Sequence, residues 1–244
     1  MTKLNFSAKT DKGAVRSVNQ DNCYAASLNE STCFAVVCDG MGGAKAGDVA
    51  SADAIKVISE KITSGWNENL DVNAIKDLIY ASVDSANGLV YSKAESSPDF
   101  AGMGTTVVIA YISGNKVLIA HAGDSRAYIF SDKKEFVTKD HSWVQEMVDS
   151  GMITADEAEN HPSKNYITRA LGVDSRIILD FSEKELADGE KILLCSDGLT
   201  NEVSEADIAK TVFSLPPAEA VEVLINTANE NGGADNITAV VISR

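Results

Sequence analysis

The stretch that decides the fold is Phe34-Ala35-Val36-Val37-Cys38-Asp39-Gly40-Met41-Gly42-Gly43, in which an apolar run ends abruptly in an acid and glycines. The apolar part has no polar side chain from 34 to 38, which is typical of a strand buried on both faces. A carboxylate at the end of such a strand is rigidly placed but costly to leave unpaired. Glycines beside it let a backbone carbonyl or a bound ion approach closely.

Outward from this stretch, the apolar patterns predict the order of the elements. Strands are predicted over 4–8, 22–27, 32–38, 105–112, 116–121, 126–130, 135–138, 177–181, 191–195 and 237–242. Helices are predicted over 49–62, 72–90, 204–213 and 217–229. Because runs of strands and runs of helices are segregated, the order favours an α+β fold with two antiparallel sheets face to face and helices outside. The strands between 105 and 138 are predicted to form an antiparallel meander.

Residues 142–171 interrupt this pattern with thin apolar content and two capping-box motifs, Ser142-x-x-Gln145 and Thr154-x-x-Glu157. They are expected to form an excursion from the core. No repeat and no Pro/Gly/Ser-rich linker divides the chain, so one domain is expected over 1–244.

The composition excludes several classes of protein. Hydrophobic residues make up 44% of the 244 residues and charged residues 23%, which is ordinary globular usage. The net charge of −15 repels nucleic acid and anionic membranes, and no apolar run approaches the ~18 residues of a membrane-spanning helix. No secretory signal is recognised at the N-terminus, and none of the four cysteines forms a C-x-x-C pair. We expect a cytoplasmic protein with no membrane insertion, no nucleic-acid partner and buried thiols.

Acids and small residues follow apolar strands elsewhere in the chain as well. The segments concerned are 16–21, 39–43, 123–126, 196–198 and 232–236. Carboxylates that converged from these segments would repel one another and raise each other's pKa, a cost that divalent cations remove. The candidate ligands are all oxygens, which suit Mg²⁺ or Mn²⁺ rather than zinc. Two such ions can activate a shared water, and Arg16 can bind phosphate oxygens in pairs.

Each of these segments also has a simpler interpretation. An isolated Asp-Gly is usually a turn, and a lone arginine is usually a surface ion pair. The interpretation as a site depends on the combination, because independent turns would not place acids after so many apolar strands.

The five segments, in this order, resemble the metal-dependent protein phosphatase family (PPM, protein phosphatase type 2C). The resemblance runs from Thr10-Asp11-Lys12-Gly13 to Asn236-Ile237-Thr238, and the segments 103–106 and 140–142 are also similar to motifs of that family. The short chain and the Asp-Gly-Met-Gly-Gly segment resemble its bacterial branch, which acts beside Ser/Thr kinases.

The resemblance implies a four-layer α/β/β/α sandwich and a role for each matching residue. Asp39 would bridge two core Mn²⁺ or Mg²⁺ ions and Gly40 would offer its carbonyl, while Asp197 and Asp235 would complete the site. Asp124 with Asp197 would hold a third ion. Asp21, and more weakly Asn236, would act through water.

The resemblance also implies the reaction. A water bridging the metals would attack phosphoserine or phosphothreonine, and Arg16 would bind the phosphate. Arg16, Asp39 and Asp197 are therefore the predicted catalytic residues, and 142–168 would form a flap beside them. The expected partners are phosphorylated proteins, including a Ser/Thr kinase and its substrates, and the expected oligomeric state is a monomer.

The sequence departs from the eukaryotic pattern at Met41, where that pattern has a histidine proposed as general acid. A thioether cannot donate a proton, so the leaving alkoxide must be protonated by another group, most simply a metal-bound water. Bacterial relatives share this methionine. Among the three histidines, His121 is predicted to be a hydrogen-bonded core residue and His141 to anchor the base of the flap.

Two other functions remain open from the sequence. One is a phosphatase dedicated to a single phosphorylated regulator of the anti-anti-sigma type. The other is a catalytically inactive binding module, which the retention of Asp39, Asp197 and Asp235 disfavours.

Overall fold

In the computed structural model, which describes residues 4–42, 46–131 and 136–244, two antiparallel sheets are built from strands far apart in the chain. In chain order the strands are β1 (Asn5–Asp11), β2 (Asp21–Asn29), β3 (Thr32–Met41), β4 (Gly104–Thr105), β5 (Val107–Ser113), β6 (Lys116–Ala122), β7 (Arg126–Phe130), β8 (Phe136–Val137), β9 (Asp180–Glu185), β10 (Lys191–Cys195) and β11 (Ile237–Ser243). One sheet has the order β1-β11-β10-β7-β8 and the other β2-β3-β5-β6-β9, with β4 paired to the end of β3.

Helices cover the outer face of each sheet. They are α1 (Gly47–Gly65) and α2 (Val72–Ser96) on the β3 sheet, and α6 (Glu205–Ser214) and α7 (Pro217–Glu230) on the β11 sheet. The shorter helices α3 (Trp143–Asp149), α4 (Ala155–Glu159) and α5 (Asp197–Thr200) lie elsewhere in the chain. One apolar cluster lies between α1, α2 and the β3 sheet, a second between the two sheets, and a third between the β11 sheet and α6 and α7. The expected α+β sandwich with helices outside is confirmed, in four layers.

The local signals of the sequence produce most of these elements. Every residue of β3 from 32 to 38 is buried, as an apolar run without alternation requires. Helix α2 begins after Asp71, whose side chain accepts a hydrogen bond from the backbone N–H of Ala74 at 2.8 Å. Helix α7 begins at Pro217, where no backbone donor is needed. No helix among the described residues is both long and apolar enough to span a bilayer.

The predicted meander is wrong, because β6 and β7 lie in different sheets. Strand β6 pairs with β5 and β9, whereas β7 pairs with β10 and β8. The chain crosses between the sheets at Gly123, whose φ of 114° is unfavourable for other residues. Both strands are almost fully buried, so their sequences carry no alternation that would show which layer each one joins.

Several smaller expectations also need correction. Strand β9 begins at Asp180 rather than at 177. Thr154 and Glu157 form a complete capping box, but at Ser142 only half of one exists, because the Gln145 side chain bonds Asp149 instead. Helix α5 was not predicted. Gly43 and the predicted strand start at 135 lie outside the described residues.

The expectation of buried thiols is confirmed for three of the four cysteines. All four cysteines are free; Cys33, Cys38 and Cys195 are buried, and Cys23 is half-buried.

Candidate active site

Asp21 and Asp39 lie directly opposite each other where β2 and β3 end. The backbone of Asp39 is fixed by its neighbours: its N–H donates to Thr106 Oγ1 at 3.0 Å, and its carbonyl accepts from Thr106 N at 2.9 Å and Thr105 Oγ1 at 2.9 Å. The two antiparallel strands therefore present two carboxylates at the same end of the sheet. The backbone hydrogen bonds of Asp39 hold it in this position.

Asp21 is buried and only half satisfied. Its Oδ2 accepts hydrogen bonds from Ser196 Oγ at 2.6 Å and Thr238 Oγ1 at 2.7 Å, while its Oδ1 has no partner. Its pKa is raised to about 6, first by burial and also by the charges of Asp197 and Asp235, against the effect of these two hydrogen bonds. A buried acceptor without a donor calls for a cation or an ordered water.

Asp197 comes from the other sheet. It is the first residue of α5, two residues after β10 ends, and its Oδ2 accepts from Asn201 Nδ2 at 3.0 Å. Burial and the charge of Asp235 raise its pKa, while hydrogen bonds from Asn201 and Asp39 oppose the rise. Asp39 and Asp197 affect each other's pKa, so the two carboxyl groups lie close together although they come from different sheets.

Asp39 and Asp197 are each followed by a glycine, and both positions require one because other backbone atoms lie very close to them. A Cβ on Gly40 would lie 2.0 Å from the carbonyl oxygen of Gly47, and one on Gly198 would lie 2.0 Å from that of Asn236. Both distances are far below van der Waals contact, so a side chain at either position would push the site apart.

The acids around Asp39 raise one another's pKa. The pKa of Asp39 is well above its usual range, because of burial first and then because of four carboxylates: Asp21, Asp197, Asp124 and Asp235. The pKa of Asp124 is raised to about 8, chiefly by burial and then by Asp197 and Asp140. A site with this much crowded negative charge binds a cation readily, since the cation relieves both desolvation and repulsion.

The loop that carries Arg16 is fastened to the same place by Asn236. The Asn236 side-chain amide donates to the carbonyls of Lys12 at 2.8 Å and Val18 at 2.9 Å. Arg16 is exposed, and its Nη2 donates to Asp235 Oδ2 at 2.8 Å. The guanidinium therefore lies at the rim of the acidic centre, and its other N–H groups are available to a ligand.

The donor set fits hard cations. Carboxylate oxygens and the Gly40 carbonyl are the kinds of oxygen ligand that Mn²⁺ and Mg²⁺ prefer. Asp21 Oδ1, which is buried and has no hydrogen-bond partner, is one of these carboxylate oxygens. In the part of the chain that the structure describes, no three His, Cys, Asp or Glu side chains already form a metal-ligand arrangement. Asp235 is ion-paired with Arg16.

The Gly123–Asp124 turn is held by His141. The N–H of Gly123 donates to His141 Nδ1 at 3.1 Å, and the N–H of His141 donates back to the Gly123 carbonyl at 3.0 Å. The His141 carbonyl accepts from Thr168 N at 2.8 Å, so one residue joins this turn to the end of the 142–168 segment. Burial lowers the pKa of His141, which keeps Nδ1 free to accept.

His121 supports the same corner of the molecule. Its ring stacks on that of His141 with centroids 4.6 Å apart, and its Nε2 bonds the carbonyl oxygen of Lys139 at 2.9 Å. His121 is buried, as predicted for a hydrogen-bonded core residue.

A groove of about 700 Å³ opens from the acidic centre. Asp124 and Asp197 line it, one wall comes from residues 142–165, and the facing wall comes from residues 197–205.

The structure thus gathers the singled-out residues from five segments at one end of the two sheets. They are Arg16, Asp21, Asp39, Gly40, Asp124, Asp197, Asp235 and Asn236. Sequence reasoning missed the hydroxyls that fix them, namely Ser196, Thr238 and Thr106. All three stand within quoted segments, but a hydroxyl near an acid has no pattern that distinguishes a hydrogen-bond donor from a surface residue.

Comparison with known proteins agrees with this geometry. The family model for protein phosphatase 2C matches residues 12–240. The chain is 38% identical over 241 residues to the serine/threonine phosphatase stp of Listeria innocua, covering 97% of this chain and 94% of that protein. It is similar to the crystal structure of the Mycobacterium tuberculosis serine/threonine phosphatase PstP/Ppp, with a TM-score of 0.88, 35% identity and 99% of each chain covered.

A structure of the PstP catalytic domain in complex with two manganese ions is also similar, with a TM-score of 0.85, 33% identity, and 99% of this chain and 98% of that chain covered. The sequence similarity, the shared fold and the family model all give the same answer. The chain belongs to the protein phosphatase 2C family.

Proposed function

We propose that this chain is a metal-dependent protein phosphatase that hydrolyses phosphoserine and phosphothreonine in proteins. The observation that carries the proposal is the set of carboxylates around the buried Asp39, which raise its pKa. Asp21 has a buried oxygen without a hydrogen-bond partner, and Arg16 lies at the rim of the same site. Relatives over nearly the whole chain are named serine/threonine phosphatases, which supports the same activity.

The chain's own residues would share the work as follows. Asp39, the Gly40 carbonyl, Asp197 and Asp235 would hold two Mn²⁺ or Mg²⁺ ions, and manganese is supported by the PstP complex. Asp124 with Asp197 would hold a third, while Asp21 and Asn236 would contact the ions through water. When bound, such ions lower the pKa of water and neutralise charge on the phosphate.

Arg16 would bind the substrate phosphate. Its guanidinium is half exposed, is fastened beside Asp235 and has further N–H groups free to reach two phosphate oxygens at once. Met41 ends β3 next to these residues and has no proton to give the leaving alkoxide, so the donor is another group of the site.

The natural substrates are proposed to be phosphorylated proteins, including a Ser/Thr kinase and its targets in the cytoplasm. The whole chain is proposed to act as one domain and as a monomer, with 142–168 as a flap over the groove.

Removal of metal tests the proposal directly. We expect EDTA to abolish turnover of a phosphothreonine peptide, because the empty acidic centre repels phosphate, and Mn²⁺ or Mg²⁺ to restore it. The measurement is phosphate release before and after chelation. Full activity in protein shown by elemental analysis to be metal-free would contradict the proposal.

Arg16 can be tested separately. Because the guanidinium would contact phosphate but hold no metal, Arg16→Ala is expected to raise KM for the peptide roughly 10- to 150-fold, by loss of a charge-assisted hydrogen bond of about 1.5–3 kcal/mol. Arg176→Ala serves as the control for loss of one positive charge. Unchanged kcat and KM in Arg16→Ala would show that Arg16 does not bind phosphate.

A further inference from the structure

The groove beside the acidic centre carries information about the substrate that the catalytic residues do not. It continues from Asp124 and Asp197 between two walls, so a chain bearing the phosphorylated residue would have its neighbouring residues in it. The residues that line the walls therefore decide which flanking sequences fit, independently of the chemistry on phosphate.

Carboxylates outnumber cations among the described residues that line this groove. The carboxylates are Asp124, Asp140, Glu159, Asp197 and Glu205, and the cations are Arg126 and Lys164. Asp124 and Asp197 belong to the acidic centre, so the charges available to a flanking residue are those of the remaining five side chains.

Arg126 offers little positive charge to a ligand. Its Nε and Nη2 donate to the two carboxylate oxygens of Asp140 at 2.8 and 2.7 Å, and its Nη1 donates to Tyr128 Oη at 3.1 Å. This bidentate pair is neutral as a unit and has its donors occupied. Lys164 Nζ reaches across the groove to Asn201 Oδ1 at 3.5 Å.

Glu159 and Glu205 provide charge that a ligand can use. Glu159 is the last residue of α4, is exposed and forms no hydrogen bond or ion pair with any described residue. Glu205 is the first residue of α6 on the facing wall; its side chain is 63% exposed, and its Oε1 accepts from Tyr128 Oη at 3.3 Å and lies 3.6 Å from Arg126 Nη1, which leaves Oε2 for a ligand. A cationic side chain in the groove therefore meets a carboxylate on either wall.

We infer that the groove selects phosphorylated segments with lysine or arginine beside the phosphoresidue, and that Glu159 and Glu205 determine this preference. The inference rests on the proposed function. The net charge of −15 acts in the same direction, because it repels an acidic phosphopeptide more than a basic one.

The test uses two fluorescent peptides that differ only beside a non-hydrolysable phosphothreonine analogue, one with two lysines and one with two glutamines. Their Kd values are measured by anisotropy with Mn²⁺ present. An exposed ion pair contributes about 0.2–1 kcal/mol, so two pairs predict roughly fivefold tighter binding of the lysine peptide. The preference should decline near 0.5 M salt, where the Debye length falls to about 3–5 Å.

The variants separate the groove from the overall charge. Glu159→Gln alone is expected to halve the preference or more, and the Glu159→Gln/Glu205→Gln double variant to bring the two Kd values together. Glu30→Gln removes one exposed charge at the opposite end of the β2–β3 hairpin and should keep the wild-type preference. Equal Kd values for the two peptides in the wild type, or an undiminished preference in the double variant, would overturn the inference.

The proposed function has its own readout. p-Nitrophenyl phosphate has no flanking residues, so its Mn²⁺-dependent turnover by the wild type and by Glu30→Gln reports the reaction alone. Absent turnover would contradict the proposed function, while the peptide Kd values would still decide whether the groove prefers basic segments.

Discussion

At the scale of single residues, the site is assembled from side chains that would be unfavourable anywhere else. Asp39 is crowded by four other carboxylates, and Asp21 keeps one buried oxygen unpaired. A protein tolerates such groups when a ligand compensates them, and otherwise they reduce its stability. The same residues are therefore expected to support activity and to reduce the stability of the metal-free protein.

Asp39→Asn separates these two effects. Asparagine keeps the shape but removes a buried charge, so we expect the Tm of the metal-free protein to stay equal or rise. Turnover of phosphopeptide should fall by more than the roughly 10–100-fold that loss of an outer partner of a metal ligand costs. Calorimetry with EDTA and steady-state kinetics with Mn²⁺ are the measurements.

The matched control is Asp84→Asn on the exposed face of α2, which should leave both quantities unchanged. If Asp39→Asn kept full turnover, Asp39 would have no place in the metal site.

At the scale of elements, the sequence predicted where strands and helices lie far better than how they pair. The run from 34 to 38 indicated a central buried strand, and β3 is one, between β2 and β5. The same kind of run in β6 and β7 led to the wrong meander, because a fully buried strand looks alike in either sheet. Pairing partners are chosen by packing between layers, which leaves no periodic trace in the chain.

For the candidate site, too, the sequence predicted the positions of single segments better than the contacts between them. Acids after apolar strands could be recognised one segment at a time, and the family resemblance gave Arg16 and Asp235 their expected roles. The contact of Arg16 with Asp235, and the hydroxyls on Asp21, depend on loop conformations that no local pattern encodes.

Glycine positions provide a test at this scale. Gly198→Ala would place a methyl group 2.0 Å from the Asn236 carbonyl oxygen, so it should destabilise the protein by about 1–3 kcal/mol or more and reduce turnover by displacing Asp197. Gly88→Ala in α2 meets nothing within 4 Å and should stabilise by about 0.5–1 kcal/mol without changing turnover. Urea unfolding and phosphate-release assays measure both. Similar stabilities for the two variants would mean that the backbone contact at Gly198 is not tight.

At the scale of the whole molecule, acids at the end of the sheets make stability depend on pH and on cations together. The pKa of Asp124 is raised to about 8, and that of Asp39 is also well above its usual range. The folded protein therefore holds protons that the unfolded chain releases near pH 4, so rising pH favours unfolding until these groups ionise in the folded state as well.

The Tm of the metal-free protein is accordingly expected to fall between about pH 6.5 and 8.5, by about 2–4 °C for each kcal/mol lost. This window lies above the usual pKa of histidine, so His141, whose lowered pKa acts in the opposite direction, contributes little there. Saturating Mn²⁺ should remove most of the decline by binding the folded state. Differential scanning calorimetry with and without EDTA gives the answer, and a flat Tm across this window in EDTA would contradict the prediction.

The pairing of β1 with β11 has a consequence for biosynthesis. Asp11 lies opposite Ile237, and β11 lies between β1 and β10 in its sheet. The loop with Arg16 and the turn with Asp235 therefore meet only when the first and last strands have joined. A nascent polypeptide still lacking β11 has no assembled catalytic end, however much of it has left the ribosome. Dephosphorylation would therefore begin only once synthesis has passed the final strand, which keeps unfinished chains from acting on their surroundings.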